Sequence, residues 1–331
     1  MTTGFIANVF MAIGFLATGF LATGFMATGF MTTGFMANVL LANAWLANVF
    51  VANPLLANAV ATAALFAVLW LASLWLRNAS IVDPFWGAGF VVIAWITWLF
   101  AGRPAGLPLV LVVLTTIWGL RLSLFLAWRN WGHGEDRRYR AMRDYHGPRF
   151  WWVSLLTVFS LQAAILWFIA LPLQFGIGGF AGETVAAMTE PAVKGIDLSR
   201  SSHWPAGWRF WVAVAGMASW LIGLSFESVA DWQMARFQAD PSQRGRVLRA
   251  GLWRYSRHPN YFGDACVWWG LYLVAASLGA WATIASPIAM TFLLLKVSGV
   301  SLLEKTIVER RPEYVDYIRR TNAFFPGPPR A

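Results

Sequence analysis

Arg257-His258-Pro259-Asn260-Tyr261-Phe262-Gly263-Asp264 is a polar, basic, proline-broken stretch between two long apolar runs. Ionisable groups at membrane depth are costly and by default mark a functional site. Pro259 suits the first turn of a helix, where its missing N–H is no loss. From that start Asn260 and Asp264 stand four apart, and Tyr261 and Asp264 three apart, so all three share one face. Asn and Asp can bond an amide, ribose or carbonyl group, while Tyr can stack or donate a proton. The free amides of that turn, with Arg254 and Arg257 just before it, suit an anion. The same residues also fit an interfacial helix cap with snorkelling arginines, and spacing does not choose between the two.

The elements that must position this stretch are membrane helices. The 331 residues are 58% hydrophobic and only 12% charged, against about 25% charged in a soluble domain. Windows long enough to span a bilayer are nearly free of charge. The predicted fold is an all-α polytopic membrane protein of about seven transmembrane helices. The predicted spans are Leu55–Leu76, Ile81–Phe100, Leu107–Ala127, Phe150–Gln174, Trp208–Ala230, Tyr261–Leu278 and Ala280–Val297. The net charge of +10 is concentrated in the loop Arg129–Arg149, the loop Asp231–His258 and the tail after Val297. The positive-inside rule puts these three segments in the cytoplasm, and seven spans give the right parity. The C-terminus is therefore expected on the cytoplasmic side, with a bacterial inner membrane as the expected location. Charge confined to short loops speaks against nucleic-acid binding and for topology plus an anionic ligand. Cys266 is the only cysteine, and His133, His146, His203 and His258 are far apart, so no cysteine or histidine metal site is expected.

Residues 1–54 form a five-residue apolar repeat, with Phe at positions 5, 10, 15, 20, 25, 30 and 35. The pattern is similar to pentapeptide-repeat proteins, but Gly or Val stands where their consensus puts a large apolar residue. It reads as a low-complexity extension produced by tandem duplication, or as an over-long start with Met36 as an alternative. The remaining residues, 55–331, read as one membrane domain.

The stretch Arg257–Asp264 resembles the signature of the sterol reductase and steroid 5α-reductase superfamily. Ile81-Val-Asp-Pro-Phe-Trp-Gly87, Trp118-Gly-Leu-Arg-Leu122, Gly134-Glu-Asp-Arg-Arg-Tyr139 and Glu227-Ser-Val-Ala-Asp231 resemble its DUF1295 branch. So does the tail from Glu304 through Tyr314-Val-Asp-Tyr317 to Phe325-Pro326. The resemblance covers residues 65–329. It implies a seven-helix reductase that binds NADPH and transfers hydride to a conjugated carbon–carbon double bond of a flat, lipophilic substrate drawn from the bilayer.

On that resemblance Arg257, His258, Asn260, Tyr261 and Asp264 line the dinucleotide site, completed by Asp231, Glu304, Tyr314 and Tyr317. Arg121 and Arg246 are the expected phosphate partners. Hydride transfer also needs an acid that polarises the conjugated carbonyl. Asp83 and Tyr261 are the candidates for catalysis. Asp83 also fits a helix cap before Pro84, and Arg121, Glu227 and Asp231 also fit simple ion pairs. The steroid 5α-reductases use a tyrosine on the third helix, and here that span has Trp118 and no tyrosine. The competing enzyme is an S-adenosylmethionine-dependent membrane methyltransferase, which shares an Arg-His-Pro-x-Tyr-x-Gly motif. Asn260 with Asp264 resembles the reductase form. A non-catalytic transporter or assembly factor is the other class, but no matched pair of broken helices suggests an inverted repeat. Gly176-Ile-Gly-Gly-Phe-Ala181 follows a membrane helix rather than a strand and is discounted as a dinucleotide fingerprint. Trp151, Trp152, Trp268 and Trp269 are expected in interfacial belts.

Overall fold

A computed structural model describes residues 53–179, 204–297, 304, 307 and 311–330. The five-residue repeats lie outside them, apart from Asn53 and Pro54. These two residues start helix α1 (Pro54–Leu76): Asn53 accepts the Leu56 amide at 3.1 Å and Pro54 takes the first turn. The helix stops at Arg77, whose φ of 49° is left-handed. A short 3-10 turn, Ala79–Val82, leads to α2 (Phe85–Phe100), and α3 (Leu107–Asn130) follows.

The predicted span Phe150–Gln174 is a broken run. It consists of α5 (Phe150–Ser154), a π-helical turn (Leu155–Ser160), α6 (Leu161–Ile169) and α7 (Leu171–Gly178). Pro172 explains the break before α7, because it cannot donate to the carbonyl one turn earlier. Before this run lies α4 (Arg137–His146), a polar helix that the apolar windows do not reveal. Helix α8 (Trp208–Ala239) continues past the expected end at Ala230, which keeps Asp231 inside the helix. Helix α9 (Pro259–Ser277) begins at Pro259, as predicted. The last apolar stretch comprises a 3-10 turn (Trp281–Ile284), α10 (Ala285–Phe292) and a π-helical turn (Leu293–Val297). Helix α11 (Tyr314–Arg320) lies in the tail.

Among the described residues, five stretches are long and apolar enough to cross a membrane: Pro54–Leu76, Ala79–Phe100, Leu107–Asn130, Arg137–Ile169 and Trp208–Ala239. Among the described residues there is helix and no strand. Large apolar side chains such as Val68, Leu124, Leu221 and Phe292 face outward, as lipid-facing helices require.

Close helix contacts rest on glycine. A Cβ on Gly87 of α2 would lie 2.1 Å from the carbonyl oxygen of Gly119 on α3. On α8 and α9, Gly216 faces Gly270 and Gly223 faces Gly263, with backbone atoms as the nearest neighbours. Small residues let membrane helices meet backbone to backbone. These two pairs bring the polar ends of α8 and α9 together.

Candidate active site

Arg257 and His258 precede α9 and hold the tail. Arg257 Nε lies 2.6 Å from Glu304 Oε1 and its Nη2 lies 3.1 Å from Oε2. Its Nη1 donates to the carbonyls of Ile318 and Thr321, at 3.0 and 2.5 Å. His258 Nε2 lies 3.2 Å from Glu304 Oε1. Burial works against the Glu304 carboxylate, but hydrogen bonds from His258 and Arg257 outweigh it and keep its pKa below the ordinary value. The Tyr317 hydroxyl donates to the carbonyls of Trp253 and Ser256. Burial pushes the Tyr314 and Tyr317 hydroxyls well above their usual pKa, so both remain neutral.

Around this clamp is a cavity of about 310 Å³, lined in part by Arg244, His258, Asn260, Tyr261, Arg311 and Tyr314. Arg257 and Tyr317 also reach it, although most donors of Arg257 are taken by the tail. Arg246 is not in the lining; its backbone carbonyl accepts a bond from Arg311 Nη1. Arg244 and Arg311 are the cations at this cavity that the sequence reading did not single out.

Helices α3, α8 and α9 share a buried polar network. Arg121 Nη1 lies 2.7 Å from Glu227 Oε1, and its Nη2 lies 2.6 Å from Asp231 Oδ2. Trp118 Nε1 donates to Glu227 Oε2 at 2.9 Å. Asn260 Nδ2 donates to Asp231 Oδ1 at 3.3 Å. Asp264 Oδ1 is buried with no partner, an arrangement that a hydrogen-bond donor on a ligand would relieve. Arg121 thus sits between two carboxylates and lines neither cavity.

A second cavity, of about 360 Å³, opens on the other side of Asn260 and Tyr261. Asp83, Tyr139, Glu227, Asp231 and Asp264 supply its polar wall, while Phe90, Leu122, Phe125, Ile165, Met290 and Leu294 supply much of the apolar one. The Tyr139 hydroxyl donates to Asp83 Oδ1 at 2.7 Å and accepts from Gln162 Nε2 at 3.2 Å. Trp86 Nε1 donates to Gln162 Oε1 at 2.8 Å, and Arg138 lies 3.3 Å from Asp83 Oδ2. Tyr139 reaches the cavity because the loop before α4 is pinned. Glu135 accepts the Ala79 amide at 2.7 Å and pairs with Arg143, also at 2.7 Å, and the Asp136 amide donates to Ser80 Oγ at 3.0 Å. Burial opposes the Glu135 charge, yet the hydrogen bonds from Arg143 and Ala79 keep its pKa low.

Asn260, Tyr261 and Asp264 therefore do share a face, and all three line the second cavity. Asp83 lies beside them, paired with Arg138 and Tyr139 rather than with Arg121. Tyr139, Gln162 and Trp86 were not assigned roles from sequence, although Trp86 and Tyr139 lie inside two of the family-like motifs. Trp151 and Trp152 are exposed, but Trp268 is not a belt residue. It is fully buried, with ring centres 4.5 Å from Phe90 and 5.5 Å from Trp118.

The family described as "Protein of unknown function (DUF1295)" matches residues 69–321. No curated protein and no solved structure matches the chain.

Proposed function

The chain belongs to the DUF1295 family, and from that premise we propose that it is an integral membrane reductase similar to the steroid 5α-reductases. In this reading α9 and the stretch Trp281–Val297 cross the bilayer as well, giving seven spans with a cytoplasmic C-terminus in a bacterial inner membrane. NADPH occupies the cavity at Arg244 and Arg311, and a flat lipid with a conjugated double bond occupies the other.

The observation that carries the reading is the shared wall: Asn260 and Tyr261 line both cavities. A cofactor on one side and a lipid on the other can then meet at Asn260 and Tyr261. The donor set fits a dinucleotide. Arg244 and Arg311 provide cations for phosphates, Asn260 offers an amide to a carboxamide, and His258 and Tyr261 present parallel rings 5.6 Å apart.

NADPH, when bound, supplies a hydride to the double bond. The chain provides the rest. The Tyr139 hydroxyl, held at Asp83 Oδ1, turns its proton to the conjugated carbonyl, and that one proton passes to the neighbouring carbon to balance the hydride. Asp83 lies beside the half-exposed Arg138, so the proton is replaced from solvent. Leu122, Phe125 and Leu294 exclude water from the reacting carbon. Arg121, through Asp231, positions Asn260 without itself lining either cavity.

The test is to titrate NADPH and S-adenosylmethionine separately against detergent-purified protein. NADPH binding that weakens at least about tenfold in Asn260→Ala supports the reductase. Binding of S-adenosylmethionine instead assigns the chain to methyl transfer.

A further inference from the structure

We propose that the substrate lipid carries an anionic headgroup, a carboxylate or phosphate ester, which pairs with Arg129 at the mouth of the second cavity. The proposal rests on the reductase reading only for calling the bound lipid a substrate.

Arg129 and Arg138 are the cations in the cavity lining. Arg138 is already paired, 3.3 Å from Asp83 and 3.0 Å from Asp136. Arg129 has no carboxylate within 4.0 Å among the described residues; its Nε makes only a 3.3 Å contact with Asn130 Oδ1. Arg121, on the same helix, and Arg143, on α4, both have acid partners. Arg129 is thus an available cation in a cavity otherwise rich in carboxylates.

Its place on α3 gives the ligand a direction. Trp118, Leu122, Phe125, Leu126 and Arg129 all line the cavity, at spacings that put them on one helical stripe. Trp118 is fully buried and Arg129 is exposed, so the stripe runs from the interior to the interface. Eleven residues of helix cover roughly 16 Å. Ile165, Met290, Leu293 and Leu294 complete an apolar sleeve. At the inner end Glu227 and Asp231 share one guanidinium, Arg121, and Asp264 Oδ1 has no partner, an environment hostile to an anion. The headgroup therefore belongs at the mouth, with the apolar chain along the stripe. The Arg129 guanidinium lies 5.8 Å from the Phe125 ring centre. An apolar neighbour of this kind lowers the local dielectric and strengthens a bidentate bond to an anion. A neutral sterol ketone would leave this cation unused.

The test uses the whole protein in non-ionic detergent without cofactor, reading tryptophan fluorescence because Trp86 and Trp118 line the cavity. Oleate and methyl oleate are titrated in parallel. Oleate should bind at least about tenfold more tightly, the scale of one charged hydrogen-bonded pair. Arg129→Gln should remove that preference by weakening oleate alone, and Arg129→Lys should retain part of it. Equal binding of the acid and its ester by the wild-type protein would overturn the proposal, as would an unchanged preference in Arg129→Gln. A separate NADPH titration on the same preparation tests the reductase reading, so failure of one leaves the other legible.

Discussion

Gly263 of α9 and Glu227 of α8 meet backbone to backbone: a Cβ on Gly263 would lie 2.5 Å from the Glu227 nitrogen and 2.6 Å from the Gly223 oxygen. The obstacles are main-chain atoms that no rotamer can move aside. Gly263→Ala should therefore cost at least about 1–3 kcal/mol, and Gly263→Val should prevent assembly of the two helices. Thermal melting of the purified variants checks this. An unchanged midpoint in Gly263→Ala would mean the helices are further apart.

Arg121 bridges two carboxylates that would otherwise repel each other in an apolar setting. Arg121→Met should lower stability by about 3 kcal/mol, because removing one partner leaves unpaired buried charge. Adding Glu227→Leu and Asp231→Leu should recover much of the melting midpoint. The triple variant should still bind NADPH poorly, since Asn260 loses the Asp231 oxygen that orients it.

Tyr139→Phe removes the hydroxyl beside Asp83 and keeps the ring. On the proposed mechanism kcat falls about 10²-fold or more, while NADPH affinity stays within about twofold of the wild type, because Tyr139 is not in that cavity's lining. Asp83→Asn should behave similarly. Steady-state kinetics with a lipid enone, together with cofactor titration, separates the two quantities. Parallel losses in both would place Tyr139 in folding rather than chemistry.

Glu304 links pH to the tail. Its pKa when folded lies below the ordinary carboxylate value of 4.5, because the bonds from His258 and Arg257 outweigh the cost of burial. A depressed carboxylate contributes its full stability above the unfolded pKa and loses it as pH falls through the folded one. The melting midpoint should thus fall below about pH 4.5 in the wild type. Glu304→Gln should start lower at pH 6 and lose less on acidification. Identical pH profiles for the two proteins would remove Glu304 from this role.

Truncation tests the start of the membrane domain. A chain beginning at Asn53 keeps the bond from the Leu56 amide to Asn53 Oδ1, whereas one beginning at Leu55 loses it. The second should be about 1 kcal/mol less stable, and both should bind NADPH like the full chain. Loss of folding in the first would assign residues 1–52 a structural task.

The α9 face was legible because a helix from Pro259 fixes the angles between Asn260, Tyr261 and Asp264 whatever surrounds them. The long apolar runs likewise located α1, α2, α3 and α8, because a bilayer demands length and apolarity and both are countable. Helix α4 was harder to see, being short and polar, and the broken run Phe150–Gly178 was hidden under uniform hydrophobicity.

The sequence by itself thus determined the apolar helices, the basic segments between them and the shared face on α9, all of which follow from local spacing and charge. Which residues meet was decided by tertiary structure alone. The partners of Arg121 are 106 and 110 residues away, and Tyr139 lies 56 residues from Asp83. Contacts of that range depend on backbone approach at Gly87, Gly119, Gly223 and Gly263, and on the anchoring of one loop by Glu135. No periodicity encodes them, because a helix fixes the direction of a side chain but not the neighbour it faces.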